Sequence, residues 1–174
     1  MHERLKYLRE KLIEVGAVKY GDFVLSSGKK SNIYIDIKLA CTYPEILDLI
    51  AELMKDSVGD VEKISCIELG AVPLAVAVSL KTGLPLSIFR KRRKDYGTGD
   101  DLIGEIKPGE KICVIEDVTT TGNSVISVIE RVAERGGEVK EVIVVVDREE
   151  GAEKRIKSLN VEFKPLLIKS QLMR

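Results

Sequence analysis

Four short apolar segments recur along the chain, at residues 64–69, 86–89, 112–115 and 142–146. Short segments that are almost wholly apolar are typical of strands buried on both faces of a sheet. Stretches with helical periodicity lie between several of them, notably at residues 73–81 and 124–135. Strands that alternate with helices in this way predict a mostly parallel sheet with right-handed crossovers, flanked by helices. We therefore expect an α/β protein.

The N-terminal part of the chain follows a different pattern. Apolar residues at positions 5, 8, 12 and 15 have helical spacing, and a second amphipathic helix is expected after Pro44. Between them, residues 20–38 include an alternation of polar and apolar positions, which predicts an antiparallel addition beside the main sheet. No repeat or linker divides the 174 residues, so we expect a single domain over residues 1–174.

Composition excludes several classes of protein. The 28 basic residues balance the 28 acidic residues, so net charge does not favour a general nucleic-acid-binding protein. The three cysteines and one histidine do not form the pairs that a disulfide framework or a structural zinc site requires. The N-terminal segment is charged, and no apolar stretch approaches the roughly 18 residues of a membrane span. We therefore expect a cytoplasmic protein with neither nucleic acid nor a membrane as its partner.

Residues 113–124 carry the clearest chemical signal in the sequence. An apolar strand ends in the adjacent carboxylates Glu116 and Asp117, and a turn rich in threonine and glycine leads into a helix. The amide groups of such a turn, together with the helix dipole, can hold a phosphate. Two carboxylates beside it suit neighbouring ribose hydroxyl groups, so the pattern indicates a sugar-phosphate site. The alternative is a helix cap formed by Thr121 or Asn123, which leaves the two carboxylates unexplained.

This segment resembles the motif of type I phosphoribosyltransferases that binds 5-phosphoribosyl 1-diphosphate (PRPP). The resemblance implies a mostly parallel central sheet flanked by helices, with a small N-terminal hood formed largely by residues 1–40 with the C-terminal segment. It also implies that Glu116 and Asp117 bind the ribose 2′ and 3′ hydroxyl groups. The other residues of the motif implied to bind PRPP, chiefly its 5′-phosphate, are Val118, Thr119, Thr120, Thr121, Gly122, Asn123 and Ser124.

Residues 23–36 are similar to the N-terminal signature of orotate phosphoribosyltransferases. In that signature, Phe-x-Leu-x-Ser-Gly precedes a strand that carries an aromatic residue, and the segment forms part of a hood over the pyrimidine ring. Taken alone, the same residues are equally well explained as an ordinary hairpin turn.

Residues 90–99 begin with five consecutive cations and end in a turn flanked by glycines. A charge run is usually a solvated face and less often a nucleic-acid patch. Here it directly follows a predicted buried strand, which favours a lid over a polyanion. It resembles the flexible catalytic loop of orotate phosphoribosyltransferases, which implies that Arg90, Lys91 and Lys94 bind the diphosphate. Tyr96 stands where many members have histidine, and its hydroxyl can donate a hydrogen bond to a phosphate.

Arg148 follows the last of the four apolar segments. In the family, an arginine in the context Asp-Arg-x-x-x-Gly binds the orotate carboxylate, although the glycine here comes one residue earlier. The planar guanidinium suits this role because it binds a carboxylate through two hydrogen bonds. The alternative is a surface arginine paired with Glu149 or Glu150. The resemblance also implies that Thr120 contacts the base.

Two lysines that many bacterial members carry are absent here, at the positions of Ser26 and Gly70. Residues 68–73 still resemble the short pyrophosphate loop of the family, but with backbone amides as its only donors. The resemblance therefore implies a greater dependence on residues 90–94 and on Mg²⁺, which PRPP carries without a direct protein ligand.

The implied reaction transfers the 5-phosphoribosyl group of PRPP to N1 of orotate, giving orotidine 5′-phosphate and pyrophosphate in pyrimidine (UMP) biosynthesis. Lys94 and Asp117 are the implied catalytic residues. The family also implies a homodimer in which the loop at 91–103 reaches the partner's site. Two alternatives stay open: a purine phosphoribosyltransferase, and a regulator with the same fold that senses nucleotides and binds RNA or DNA.

Overall fold

The structure is a computed structural model that describes residues 3–25, 28–92 and 101–173. Its helices are α1 (Glu3–Glu14), α2 (Ile37–Ala40), α3 (Pro44–Ser57), α4 (Val72–Thr82), α5 (Asn123–Glu134), α6 (Ala152–Lys157) and α7 (Lys169–Leu172). Its strands are β1 (Val18–Val24), β2 (Lys30–Ile35), β3 (Lys63–Ile67), β4 (Leu86–Phe89), β5 (Leu102–Ile103), β6 (Lys111–Thr119), β7 (Glu138–Asp147) and β8 (Glu162–Ile168).

The central sheet has six strands in the order β5-β4-β3-β6-β7-β8. All neighbouring pairs are parallel except β4 and β5, which are antiparallel. This confirms the predicted α/β class, and β3, β4, β6 and β7 correspond to the four apolar segments. The two edge strands were not predicted: β5 has only two residues, and β8 contains Pro165, which an edge strand tolerates.

The strand that carries the sugar-phosphate motif is longer than expected. The sequence predicts that it ends at Glu116 and Asp117, but β6 continues to Thr119, which pairs with Asp147 at the end of β7. This prediction of the strand end is wrong because pairing with β7 extends the strand beyond its apolar run. The two carboxylates therefore sit on regular backbone at the carboxyl end of the sheet, where ligands bind in folds of this type.

Two apolar clusters cover the faces of the sheet. One contains Leu8 of α1, Ile46 of α3 and Leu74 of α4, together with Cys66 and Cys113. The other cluster packs α5 and α6 on the opposite face, against alternate residues of β6 and β7. Cys66 and Cys113 are both buried, so they pack as small apolar side chains.

The N-terminal hairpin forms a separate two-stranded sheet from β1 and β2. Its antiparallel pairing confirms the predicted hairpin, but the expectation that the strand pattern continues through Lys38 is wrong, because Asp36 caps the short helix α2 instead. The Tyr20 hydroxyl donates to the main-chain carbonyl of Leu172 over 2.7 Å, which joins the hairpin to the C-terminal segment. Among the described helices, none has the length and apolar character needed to cross a bilayer.

Candidate active site

The turn between β6 and α5 forms a small cavity of about 130 Å³. Gly122 adopts a left-handed conformation with φ of +83° at the N-cap of α5, and no side chain of the described residues caps this helix. The alternative of a cap by Thr121 or Asn123 is therefore wrong. Uncapped amide groups at the start of a three-turn helix favour an anion. The cavity is lined by Glu116, Val118, Thr119, Thr120, Thr121, Gly122, Asn123, Ser124 and Val125.

The two adjacent carboxylates occupy different environments. Glu116 is buried and accepts a hydrogen bond from the main-chain N–H of Asp117 over 3.0 Å, whereas Asp117 is half-buried. Burial, followed by the neighbouring Asp117 carboxylate, raises the pKa of Glu116 well above its ordinary value, and Lys38 opposes this shift. Asp117 is thus the more solvent-accessible of the two carboxylates.

A second cavity, of about 360 Å³, lies between the end of β3 and the end of β6. The loop after β3 contains a cis peptide bond between Glu68 and Leu69, and Glu68 accepts a hydrogen bond from the main-chain N–H of Lys91 over 2.8 Å. The cavity is lined by Lys38, Ile67, Glu68, Leu69, Gly70, Lys91, Glu116, Asp117, Val118 and Ser124.

A third cavity, of about 550 Å³, separates the N-terminal hairpin from the central sheet. Its hairpin wall is formed by Val24, Leu25, Lys29, Tyr34 and Ile35, and its sheet wall by Val118, Thr120, Thr121, Arg148 and Glu150. An aromatic ring, aliphatic groups and cations therefore face one another across a space large enough for a small planar ring.

Arg148 lies in the wall of this third cavity with its side chain only 6% exposed. Its Nε donates to Glu150 Oε1 over 3.1 Å, and its Nη2 lies 3.4 Å from Ser31 Oγ on the hairpin. Its main-chain N–H donates to the Thr119 carbonyl over 2.9 Å. The alternative of a surface arginine is therefore correct about the ion pair with Glu150, but it is wrong about the location, because Arg148 is buried. A buried guanidinium at a cavity wall is suited to an anionic ligand.

The three cavities adjoin one another, because Val118 lines all of them. Thr120 and Thr121 lie between the first and third cavities, and Glu116 lies between the first and second. The structure thus brings residues 116–124, Lys91 and Arg148 together, as the sequence predicts. Arg90 lies at the end of β4, where its main-chain N–H donates to Asp101, and it lines none of these cavities. Lys94, Tyr96 and most of the predicted loop at 91–103 lie outside the described residues.

Two arginines that sequence reasoning missed bind segments next to this site. Arg155 on α6 donates through Nη1 to the Thr121 carbonyl over 2.5 Å and to Asn123 Oδ1 over 2.7 Å. Arg131 on α5 donates to the Arg90 carbonyl over 2.9 Å and is buried. The position of Arg131 within the apolar stripe of its helix is a signal that could have marked it. Arg155 gives no such signal, because charged residues surround it in the sequence.

Comparison with known proteins gives consistent results. The family model described as "Phosphoribosyl transferase domain" matches residues 42–166. The orotate phosphoribosyltransferase of Archaeoglobus fulgidus is 57% identical over 145 residues, which cover 82% of this chain and 82% of that protein. That of Methanopyrus kandleri is 47% identical over 165 residues, which cover 95% of this chain and 90% of that protein.

Solved structures show the same likeness. The orotate phosphoribosyltransferase of Aeropyrum pernix superposes with a TM-score of 0.83 at 29% identity, covering 95% of this chain and 95% of that one. The Mycobacterium tuberculosis enzyme in complex with PRPP gives a TM-score of 0.78 at 29% identity, covering 97% of this chain and 98% of that one. An adenine phosphoribosyltransferase from Leishmania tarentolae, 18% identical with a TM-score of 0.74, shares the fold.

Proposed function

The chain belongs to the phosphoribosyl transferase domain family and, within it, to the orotate phosphoribosyltransferases, and from this membership we propose how its residues divide the reaction. The reaction transfers the 5-phosphoribosyl group of PRPP to N1 of orotate and releases pyrophosphate, a step of pyrimidine biosynthesis. The observation that supports the division of roles is the meeting of three cavities at Val118. We assign one cavity to each charged or planar part of the substrates.

The smallest cavity would bind the 5′-phosphate of PRPP. Its wall offers the threonine hydroxyls and the first amide groups of α5, all of which donate hydrogen bonds to an anion. Arg155 would hold the turn in shape through its hydrogen bond to the Thr121 carbonyl. The cavity between β3 and β6 would then receive the diphosphate.

The largest of the three cavities would bind orotate. Arg148 would form two parallel hydrogen bonds to the orotate carboxylate, and Thr120 would contact the ring. The aliphatic and aromatic residues of the hairpin would cover the face of the pyrimidine and exclude water. We propose that the hood comprises residues 1–40 with the C-terminal segment, within a single domain of residues 1–174, and the Tyr20–Leu172 hydrogen bond supports this.

Departure of pyrophosphate leaves positive charge on the ribose ring, so the transition state is oxocarbenium-like. We assign the stabilisation of this charge to Asp117, whose half-buried carboxylate faces the diphosphate cavity. Glu116 is less suited, because its raised pKa makes ionisation less favourable at that position. Both residues would bind ribose hydroxyl groups and so hold the ring in line with the base. Lys94 stays a proposed catalytic residue that serves the leaving group, together with Arg90 and Tyr96.

The donor atoms around the diphosphate cavity fit Mg²⁺ that enters on PRPP. Mg²⁺ usually keeps several of its water molecules, so the phosphates of PRPP would carry it without a direct protein ligand, and Glu68 and Asp117 at the cavity wall would face that bound water. Within the described ranges, no cluster of three or more histidine, cysteine or carboxylate side chains is arranged to hold a metal by itself. Bound Mg²⁺ would neutralise negative charge on the departing pyrophosphate.

We propose that two copies of the chain associate through the exposed face of α4. Pro73, Val76 and Leu80 have helical spacing along that face, Leu80 is 81% exposed, and the exposed Leu69 lies in the loop just before the helix. Exposed apolar residues in a continuous row are typical of a protein–protein interface. Leu69 also lines the diphosphate cavity, so a partner on this face would lie next to the site. This supports the proposal that the loop at 91–103 serves the neighbouring subunit.

Three free cysteines support a reducing compartment, so we keep a cytoplasmic location in the proposal. The decisive experiment measures consumption of orotate with PRPP and Mg²⁺, in parallel with hypoxanthine and guanine. We expect turnover with orotate and with neither purine, because a buried arginine in the base cavity favours a base that carries a carboxylate. Turnover of a purine base would overturn the assignment of the base. A gel shift with RNA or DNA that does not respond to PRPP would favour the regulator.

A further inference from the structure

The wall of the diphosphate cavity carries acidic side chains before any substrate enters. Glu68, Glu116 and Asp117 all line it, although the raised pKa of Glu116 disfavours a negative charge at that position. A diphosphate group brought against Glu68 and Asp117 still requires cations at the cavity wall, because uncompensated like charges at short distance are unfavourable. Among the described residues that line the cavity, the cations are Lys38 and Lys91.

Lys91 alone does not supply the positive charge that the diphosphate requires within one subunit. Its main-chain N–H is engaged with Glu68, and by our proposal its side chain belongs to a loop that serves the neighbouring subunit. Lys38 instead comes from α2, which follows the N-terminal hairpin, and it lines the same cavity.

Lys38 and Gly70 occupy adjoining space at this wall. A Cβ atom placed on Gly70 would lie 3.2 Å from Lys38 Cγ and only 2.2 Å from Asp117 Oδ2. The absence of a side chain at position 70 therefore leaves room for the aliphatic part of Lys38. The space beside Gly70 is thus occupied by a lysine that comes from a separate segment of the chain.

The ammonium group of Lys38 is free to turn toward a ligand. Its side chain is 61% exposed, and its distance of 3.9 Å to Asp36 Oδ1 is long for an ion pair. Asp36 is already engaged, since Oδ1 accepts a hydrogen bond from the main-chain N–H of Leu39 over 3.1 Å. The positive charge of Lys38 also interacts with a carboxyl group of the site, because it opposes the rise in the pKa of Glu116.

We propose that Lys38 is a diphosphate-binding residue of this enzyme, supplying the cation that the loop at residues 68–73 lacks. The inference rests on the proposed function, because it takes the second cavity as the site of the diphosphate. A flexible four-carbon chain ending in a compact charge suits this task, since the ligand presents oxygens in several directions. Lys38 would bind both PRPP and the pyrophosphate product.

The test compares Lys38→Ala with Lys38→Arg, using Lys55→Ala as the matched control. Lys55 is another partly exposed lysine on a helix, paired loosely with Glu52 over 3.8 Å, and it lines none of the three cavities. Binding of inorganic pyrophosphate with Mg²⁺ is measured by calorimetry, and the KM values for PRPP and orotate by steady-state kinetics. Thermal unfolding reports any general loss of structure.

In Lys38→Ala, we expect pyrophosphate affinity to fall about tenfold or more and the PRPP KM to rise with it, as for loss of a charge-assisted hydrogen bond. The orotate KM and the unfolding temperature should stay close to those of the unchanged chain. Lys38→Arg should restore most of the affinity, and Lys55→Ala should change none of these values. Unchanged pyrophosphate binding in Lys38→Ala, or an equal loss in Lys55→Ala, would overturn the proposal. Failure of the proposed function would show itself separately, as absent orotate turnover by the unchanged chain.

Discussion

Thr119 and Asp147 join the phosphate and base halves of the site. The Thr119 hydroxyl donates to Asp147 Oδ1 over 2.8 Å, and both residues are buried. The residue after Asp147 is Arg148, whose main-chain N–H donates back to the Thr119 carbonyl. Burial raises the pKa of Asp147, although the hydrogen bond from Thr119 opposes this shift. The ends of β6 and β7 are therefore held together at the point where the two substrates must meet.

The first prediction concerns this pair. Thr119→Val keeps the shape of the side chain but leaves Asp147 without its hydroxyl donor, so we expect a loss of about 1–3 kcal/mol in the free energy of unfolding. The KM values for PRPP and orotate should rise together, because the ends of both strands are released. Urea denaturation and steady-state kinetics measure these changes. Thr119→Ser retains the hydroxyl and should behave like the unchanged chain, and equal stability of all three would contradict the prediction.

The second prediction concerns the ribose carboxylate. Asp117→Asn preserves the shape but removes the charge assigned to the oxocarbenium-like transition state. We expect turnover to fall by about 10²-fold or more, the scale of a lost preorganised electrostatic contact. Stability should change little, because Asp117 is only half-buried. Near-normal orotate turnover in this variant would be incompatible with the role assigned to Asp117.

The third prediction concerns the base cavity. Arg148→Ala removes the guanidinium that would bind the orotate carboxylate, and loss of a partner from such a pair costs about 2–5 kcal/mol. We expect the orotate KM to rise strongly while the PRPP KM stays nearly unchanged. Arg148→Lys retains the charge but not the planar pair of donors, so it should recover only part of the affinity. If PRPP binding collapsed and orotate binding did not, Arg148 would belong to the phosphate site.

The fourth prediction concerns pH. The groups that face Glu116 are Asp117, Lys38 and Cys66. Burial and then Asp117 raise the pKa of Glu116 above its ordinary value of 4.5, so the folded chain binds this proton more tightly than the unfolded chain. The contribution of Glu116 to the free energy of unfolding therefore falls as the pH rises from 4.5 toward the pKa of Glu116 in the folded chain.

Glutamine at this position does not ionise. We therefore expect Glu116→Gln to become more stable relative to the unchanged chain as pH rises through this window. Urea denaturation at a series of pH values between about 4 and 8 measures the difference. Parallel pH profiles for the two chains would show that Glu116 does not titrate differently in the folded state.

The fifth prediction tests whether the loop at 91–103 serves the neighbouring subunit. A chain carrying Lys91→Ala and Lys94→Ala and a chain carrying Asp117→Asn should each be inactive. In a mixed dimer, one site combines an intact carboxylate with an intact borrowed loop, so part of the activity should return. The measurement is orotate turnover after subunit exchange has been demonstrated. Exchange without recovery would mean that each loop serves its own subunit.

The four central strands and the phosphate turn could be predicted because local pattern determines them. Apolar runs such as residues 142–146 are buried on both faces wherever they occur in such a sheet. β8 escaped prediction because Pro165 interrupts its pattern and its position depends on pairing with β7. β5 is too short to have a pattern, and it depends on the antiparallel contact with β4.

The site could be predicted where a contiguous motif carries it, as in residues 116–124. It could not be predicted where residues far apart in sequence meet. Lys38 and Asp117 both lie close to Gly70, which brings three separate segments together, and no local spacing reveals this. The different burial of Glu116 and Asp117 is equally hidden in sequence. Neighbouring residues on a strand point to opposite faces, but the sequence does not show which of the two faces is more deeply covered at this point.

The anchoring of Arg90 and Asp101 has a consequence for how enzymes of this kind can diversify. The Arg90 N–H donates to the Asp101 carbonyl over 2.7 Å, and Arg131 binds the main-chain carbonyls of both residues. When the two ends of a loop are already held in contact, a longer loop costs little more to close, about 0.6 kcal/mol of free energy for each doubling of its length. The segment between these two residues can therefore be lengthened, shortened or exchanged between relatives without disturbing the frame that holds the substrates.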